Sequence, residues 1–179
     1  MTLDVNLALF LNGLTGQSAF FDNAVVFFAS YLPWLSVAFF LLWFYFSSSP
    51  AKEKMCMFLT VAASALIARF GAVEIIRFFY HRPRPFSALD IHPLFFDGNW
   101  SFPSGHAAFF FALSAAAYSY DKKLGVWLFA AAILISIGRV IAGAHYLSDI
   151  FGGMVLGILV ALAVRFFSGR IRASAGNEL

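Results

Sequence analysis

The chain has a single cysteine, Cys56, so no internal disulfide can staple it. Charge is scarce: 12% of the 179 residues are Asp, Glu, Lys or Arg, against about a quarter in a soluble domain. Twelve basic and nine acidic residues leave a net charge of only +3, and the basic ones stand at the ends of apolar runs. That placement argues against a nucleic-acid surface and for topology signals and anion ligands. No positive charge lies between Met1 and Phe21, and Asp4, Asn6, Asn12 and Gly13 interrupt the segment, so a cleavable signal peptide is not expected. Repeats and low-complexity tracts are absent as well.

Apolar surface is what the chain has in excess. Hydrophobic residues make up 61% of it, and the mean hydropathy is +0.82. That is more than one buried core can use, and it points to a bilayer. The chain therefore reads as one all-α, polytopic membrane helix bundle over residues 1–179. A crossing helix needs about 20 apolar residues, and five stretches qualify, at about 23–46, 55–79, 104–120, 124–142 and 146–167. Pro33 is expected to kink the first. Residues 1–22 carry Leu3, Leu7, Phe10, Leu11 and Leu14 at helical spacing. They read as an interfacial amphipathic helix or one packed on the bundle; insertion would make them a sixth segment. Residues 168–179 read as a polar cytoplasmic tail with Arg170 and Arg172. Gly153-x-x-x-Gly157 suggests close helix packing within the bundle rather than a dimer seam.

Loop charges set the expected orientation. Lys52, Lys54, Lys122, Lys123, Arg165, Arg170 and Arg172 fall on one side, which the positive-inside tendency makes cytoplasmic. Arg77, Arg82, Arg84 and Arg139 fall on the other, at the outer face of the cell membrane.

Three clusters on that outer side carry chemistry. Arg77-x6-Arg84-Pro85 supplies two guanidinium forks, which match phosphate oxygens bidentately. Pro103-Ser104-Gly105-His106 opens a helix: Ser104 can cap it, the first N–H groups favour an anion, and His106 is placed to protonate a leaving oxygen. Arg139-x5-His145-x3-Asp149 puts an imidazole and a carboxylate at i and i+4, on one face of a helix, with Gly143 in the turn before them. A carboxylate there can fix the tautomer of His145 and support the cation formed when it attacks phosphorus. Each cluster alone also fits a plainer reading, as flanking charges, helix stops or a structural His–Asp pair. Their convergence on one side of one bundle, where unpartnered charge is expensive, points to a site. His81 and His92, near Asp90 and Asp97, have no zinc-like spacing, so no metal is expected. Arg69 lies about 12 Å deeper than Arg77 along a straight helix, and Glu74 can pair with Arg77; both read as structural pairing inside the bundle.

These residues resemble the type 2 phosphatidic acid phosphatase superfamily, which includes lipid phosphate phosphatases, bacterial undecaprenyl-diphosphatases and vanadium haloperoxidases. Its pattern is Lys or Arg, six residues, Arg-Pro; then Pro-Ser-Gly-His; then Ser-Arg, five residues, His, three residues, Asp. The chain matches at Arg77, Arg84, Pro85, Pro103, Ser104, Gly105, His106, Arg139, His145 and Asp149. It departs in having Arg77 where Lys is commoner and Gly138 where Ser is usual. The resemblance implies a phosphohistidine formed on His145 and oriented by Asp149, with His106 as proton donor and then as base. Arg77, Arg84, Arg139, the Ser104 hydroxyl and the Gly105 N–H would hold the phosphate, with no metal or other cofactor. The substrate would be a membrane lipid phosphate. The short chain and the Arg82-Pro83-Arg84-Pro85-Phe86 turn look most like small bacterial undecaprenyl-diphosphatases, with phosphatidic acid, phosphatidylglycerophosphate and lipid A phosphates as alternatives. A lipid phosphotransferase and a non-catalytic phospholipid binder or transporter are the rivals of other classes.

Overall fold

The computed structural model describes residues 2–176, with side-chain surroundings for residues 2–169. Among the described residues there are helices and loops and no strand. In chain order the helices are α1 (Leu3–Asn12), α2 (Ala19–Phe46), α3 (Ala51–Phe79), the single turn α4 (Pro85–Ala88), α5 (Gly105–Tyr118), α6 (Lys122–Ile141) and α7 (Leu147–Gly176). By length and composition, α2, α3, α6 and the Leu147–Gly169 part of α7 can cross a membrane. Only 28% of the apolar window of α2 and 22% of that of α7 is buried in the bundle. The remainder, including Trp34, Phe39, Leu159 and Phe167, faces outward. A water-soluble monomer rarely shows apolar faces on that scale.

The remaining expected span, at 104–120, differs in kind. Helix α5 has 14 residues, a rise of roughly 21 Å, where a bilayer core is about 30 Å thick. It is the central helix. Ala107, Ala108, Phe110, Phe111, Ala112, Leu113, Ala116 and Ala117 are buried around its whole circumference, as a helix that is apolar on every side requires. Its alanines admit α7 at close range: a Cβ on Gly153 would lie 2.5 Å from the Ser104 carbonyl oxygen and 2.9 Å from Ala107 Cβ. The Gly153/Gly157 seam is therefore intramolecular. One end of α5 lies beside the end of α3, where Arg77 Nη2 donates to Pro103 O at 3.0 Å. Beyond its other end, the Tyr120 hydroxyl lies 3.0 Å from Thr60 Oγ1, in the first half of α3. Thus α5 runs antiparallel to α3, end to end.

Several boundaries move. Helix α2 starts at Ala19 rather than 23 and α3 at Ala51 rather than 55. The expected tail at 168–179 continues α7 as helix through Gly176, and the rest of it, with the side chains of Arg170 and Arg172, lies outside the described residues. The N-terminal segment is helical only over Leu3–Asn12; a turn follows, with Gly16 at φ +78° and its N–H donated to the Asp22 carboxylate. Helix α1 is docked on the bundle: Asn12 Nδ2 donates to His92 O (2.9 Å) and Ile141 O (3.1 Å), while Leu3, Phe10 and Leu14 remain exposed.

Two helices carry π-helical turns, Phe27–Tyr31 in α2 and Ile67–Ala72 in α3. The first ends just before Pro33, which has no N–H to offer the carbonyl of Ala29, four residues earlier. That oxygen accepts from Arg139 Nη1 instead, at 3.4 Å. Gly138 makes this approach possible, since a Cβ there would come within 3.1 Å of Ala29 N. The glycine that departs from the usual serine thus brings α2 against α6.

Candidate active site

The loop after α3, the start of α5 and the turn between α6 and α7 meet at one end of the bundle. The last turns sharply at Gly143, at φ +78°, where a Cβ would also lie 2.8 Å from Ile91 Cδ1. His145 stands in this turn, just before α7, so the pair with Asp149 is not formed on a continuous helix face as its spacing suggests. Instead Asp149, in the first turn, reaches back to accept the Tyr146 N–H at 2.9 Å, as a capping carboxylate does. The Ser104 N–H donates to Asp149 O at 2.9 Å and ties the start of α5 to the same turn.

His145 is 1% exposed. Its Nε2 lies 3.1 Å from Arg84 Nη1. A guanidinium can only donate, so Nε2 accepts and the ring proton belongs on Nδ1, which faces Asp149 Oδ2 at 3.4 Å. That gap is ion-pair range and too long for a hydrogen bond, and Nδ1 has no hydrogen-bond partner. Burial, then the charges of Arg139 and Arg84, push the His145 pKa well below the ordinary 6.5.

Asp149 is fully buried and held from three sides: Ser101 Oγ at 2.5 Å and Tyr146 N–H on Oδ2, and Arg82 Nη1 at 2.7 Å on Oδ1. Arg82 also donates to Ser148 Oγ (2.6 Å) and to Asp4 Oδ2 (2.6 Å), and its guanidinium lies 3.9 Å from the centre of the Tyr146 ring. Burial alone would lower the pKa of Arg82, but Asp4 and Asp149 outweigh it and raise it. For Asp4, burial would raise the pKa, while bonds from Ser148 and Arg82 bring it below the usual carboxylate value. Helix α1 is thereby wired to the site through an ion network of which only Arg82, as a flanking charge, is legible in the sequence.

The three motif arginines are buried at 4%, 5% and 2% exposure for Arg77, Arg84 and Arg139. Arg84 is fixed by carbonyls, donating Nε to Asn99 O (3.0 Å), Nη2 to Gly98 O (3.1 Å) and Nη1 to Ala144 O (2.8 Å). Burial lowers its pKa to about 10, so it stays charged at neutral pH. Arg77 Nη1 lies 3.5 Å from Glu74 Oε1. Arg139 Nη2 pairs with Asp97, whose carboxylate is also 3.5 Å from Arg84 Nη1. A carboxylate of the loop after α4 thus sits between two motif arginines. Arg77 Nε and Arg139 Nε are buried without partners, and buried donors left unspent call for an explanation. Ser104 is the N-cap of α5, its Oγ accepting the Ala107 N–H at 3.4 Å.

His106, in the first turn of α5, is half-buried and lines a cavity of about 230 Å³ with Arg69, Gly105, Ser30, Trp34 and Phe109. Gly105 has no room for a side chain, because Arg69 crosses it: a Cβ would meet Arg69 Nε at 2.6 Å and Cδ at 2.8 Å. Arg69 is therefore at the site's edge and not simply deeper in the bundle. A second cavity, of about 410 Å³, opens at Arg84, Asp97, Asn99 and Trp100. The two histidines outside the motifs have local partners: His81 stacks on Trp100 at 4.7 Å, and the His92 N–H donates to Asn12 Oδ1.

The chain is similar to the Undecaprenyl-diphosphatase BcrC of Bacillus subtilis (strain 168), at 26% identity over 164 residues, covering 90% of this chain and 82% of that one. It is 32% identical over 111 residues to the Phosphatidylglycerophosphatase B of the same organism, covering 55% of this chain and 52% of that one. The crystal structure of Aquifex aeolicus LpxE has the same fold, with a TM-score of 0.68 at 24% identity over 92% of this chain and 95% of that one. The family profile described as PAP2 superfamily matches residues 53–172, well over half of the chain and all three clusters. The chain is a member of the PAP2 superfamily, and with its long apolar helices it belongs among that superfamily's membrane phosphatases.

Proposed function

We propose that this protein hydrolyses a lipid phosphate or diphosphate through a phosphohistidine on His145, without a metal. The observation that carries the reading is the state of His145: buried, unprotonated at Nε2, and 3.1 Å from an Arg84 whose other donors are fixed on carbonyls. In the first step Nε2 forms a bond to the terminal phosphorus while the bond from that phosphorus to the leaving oxygen breaks, the leaving oxygen being the lipid's own in a monophosphate and the bridging one in a diphosphate. Protonated His106 gives its proton to that oxygen. Asp149 supports the imidazolium across the 3.4 Å gap, which closes as charge develops on the ring. In the second step water attacks phosphorus, His106 takes its proton, and the P–N bond breaks to release phosphate. The free Nε donors of Arg77 and Arg139, with the Ser104 hydroxyl and the Gly105 N–H, meet the charge that develops on the phosphoryl oxygens.

In this reading the protein crosses the membrane five times, with α5 as the short central crossing and α1 lying at the interface. Lys52, Lys54, Lys122 and Lys123 mark the end opposite the site, which puts the site on the periplasmic or extracellular side of the cell membrane. Undecaprenyl diphosphate is the favoured substrate. The similarity to an undecaprenyl-diphosphatase over 90% of the chain supports it, and so does the apolar cavity beside His106. The test is phosphate release by detergent-purified protein from undecaprenyl diphosphate and phosphatidic acid in EDTA. Release that persists in EDTA and is lost in His145→Ala is the expected result. Release that needs a divalent metal, or that survives the substitution, contradicts it.

A further inference from the structure

Arg69 belongs to none of the three clusters, yet it occupies a defined place beside them. It lies in the π-helical turn Ile67–Ala72 of α3. Such a turn bonds residues five apart and brings them onto one face. Glu74, five residues on, accordingly receives Arg69 Nη1 at 2.5 Å. The same Glu74 oxygen is 3.5 Å from Arg77 Nη1, so one carboxylate ties Arg69 to a motif arginine. The Arg69 side chain then crosses Gly105 at the N-terminus of α5 and enters the wall of the cavity that holds His106. Its side chain is 25% exposed, so the charge remains accessible from the cavity. Beyond it the cavity is walled by Pro33, Trp34, Val37, Phe70, Phe109 and Phe110.

A lipid phosphate whose phosphoryl group is attacked by His145 and whose leaving oxygen is met by His106 would carry its next groups into this cavity, past Arg69 and on to the apolar wall. In an isoprenyl monophosphate the phosphoryl group is followed directly by an ester oxygen and hydrocarbon, and a cation at Arg69 has no second anion to bind. In a lipid diphosphate a second phosphate follows the one under attack, and it is the group that departs with the lipid. It would lie beside His106 and Arg69, carrying charge that the departing step increases. Building on the phosphatase reading above, we propose that Arg69 is a specificity-determining residue that holds the lipid-proximal phosphate of a lipid diphosphate. Glu74 holds the guanidinium in place, and Gly105 leaves the space it needs.

The test compares kcat/KM for farnesyl diphosphate and farnesyl monophosphate in detergent micelles, using the wild-type protein, Arg69→Gln and Arg69→Lys. A charge-assisted hydrogen bond corresponds to a loss of roughly 10- to 150-fold. The expected result is a loss of that size for Arg69→Gln on the diphosphate, a change of less than about threefold on the monophosphate, and partial recovery of the diphosphate rate in Arg69→Lys. Equal losses on both substrates would make Arg69 merely structural and overturn the proposal, as would no loss on either. If Arg69→Gln does not fold, Arg69→Lys decides alone: it keeps charge but not the fork, and an unchanged ratio between the two substrates rejects a recognition role. A wild-type protein that releases no phosphate from either substrate refutes the phosphatase reading, and this inference falls with it. A wild-type protein active on both, with a ratio indifferent to Arg69, refutes this inference only.

Discussion

Replacing Arg82 by Met keeps most of the unbranched stem and removes the guanidinium that joins three groups. The fork donates to Asp149 Oδ1 at 2.7 Å, to Ser148 Oγ at 2.6 Å and to Asp4 Oδ2 at 2.6 Å. Asp149 is wholly buried, so its Oδ1 would be left without its charged partner, while Ser101 and Tyr146 continue to hold Oδ2. Hydrogen bonds to charged groups contribute about 1.5–3 kcal/mol each. Arg82 and Asp4 are each 21% exposed, and water can replace part of what they lose. The expected destabilisation is therefore about 2–4 kcal/mol, nearer one full charged bond than three. Catalysis should suffer through His145, whose imidazolium relies on Asp149 being fixed 3.4 Å away. If misplacement of Asp149 loses one charge-assisted interaction in the transition state, kcat falls roughly 10- to 150-fold. KM should change little, because Arg82 does not line either cavity at the site. The assay is steady-state phosphate release together with thermal inactivation in detergent. An Arg82→Met protein with wild-type kcat and wild-type inactivation temperature would refute the account of this network.

Three further outcomes follow from the same geometry. The His145 ring should remain neutral at and below pH 6.5, because burial and the neighbouring Arg139 and Arg84 oppose its protonation; histidine nitrogen NMR of the substrate-free protein would contradict this if the ring titrated at 6.5 or above. Since the folded value is lowered, the neutral form is lost only as pH falls through that depressed value. Asp97→Asn removes a carboxylate from between Arg84 and Arg139, so inorganic phosphate should inhibit about 3- to 10-fold more strongly, equivalent to roughly 1 kcal/mol; an unchanged or weaker inhibition constant would remove Asp97 from the anion site. Gly157→Ala drives a Cβ into Ala108 O and to 3.0 Å from Ala112 N, against backbone that cannot swing away, and should cost about 1–3 kcal/mol of stability; Gly169→Ala, inside α7 with nothing within 4 Å, should cost nothing and stabilise by up to about 1 kcal/mol in the same thermal measurement.

The membrane helices and the three clusters were legible because each is a local pattern. A run of apolar residues between charged turns gives a helix, and Arg, His and Asp at fixed short spacings mark phosphate chemistry. The structure brings Arg77, Arg84, Ser104, Gly105, His106, Arg139, His145 and Asp149 to one end of the bundle. What spacing could not give is how these residues are held. Arg82 meets Asp4 and Asp149 across 78 and 67 positions, and Ser101 meets Asp149 across 48, with no pattern linking them. The i,i+4 reading of His145 and Asp149 missed that the helix begins after His145, because Gly143 ends the preceding helix and Tyr146 opens the next. On a straight α-helix Arg69 lies deeper than Arg77 and Glu74 pairs with Arg77, so the sequence makes both structural. The π-helical turn brings Arg69 onto Glu74 and to the site's edge, and hydropathy does not reveal such turns. From the sequence Asp97 reads only as a neighbour of His81 and His92 with no metal-like spacing; in the fold it lies with arginines.

The most direct test of the central claim is to look for phosphorus on His145. Rapid-quench reaction of the detergent-purified protein with a radiophosphate-labelled lipid diphosphate, followed by peptide mapping at alkaline pH, should give an acid-labile label on the peptide that contains His145. In His106→Ala, which lacks the proton donor of the first step and the base of the second, the label should form more slowly and persist longer once formed, and it should be absent in His145→Ala. Phosphate release in the first turnover with no protein-bound label, in wild type and in His106→Ala alike, would mean that water attacks the lipid directly and would contradict the phosphohistidine account.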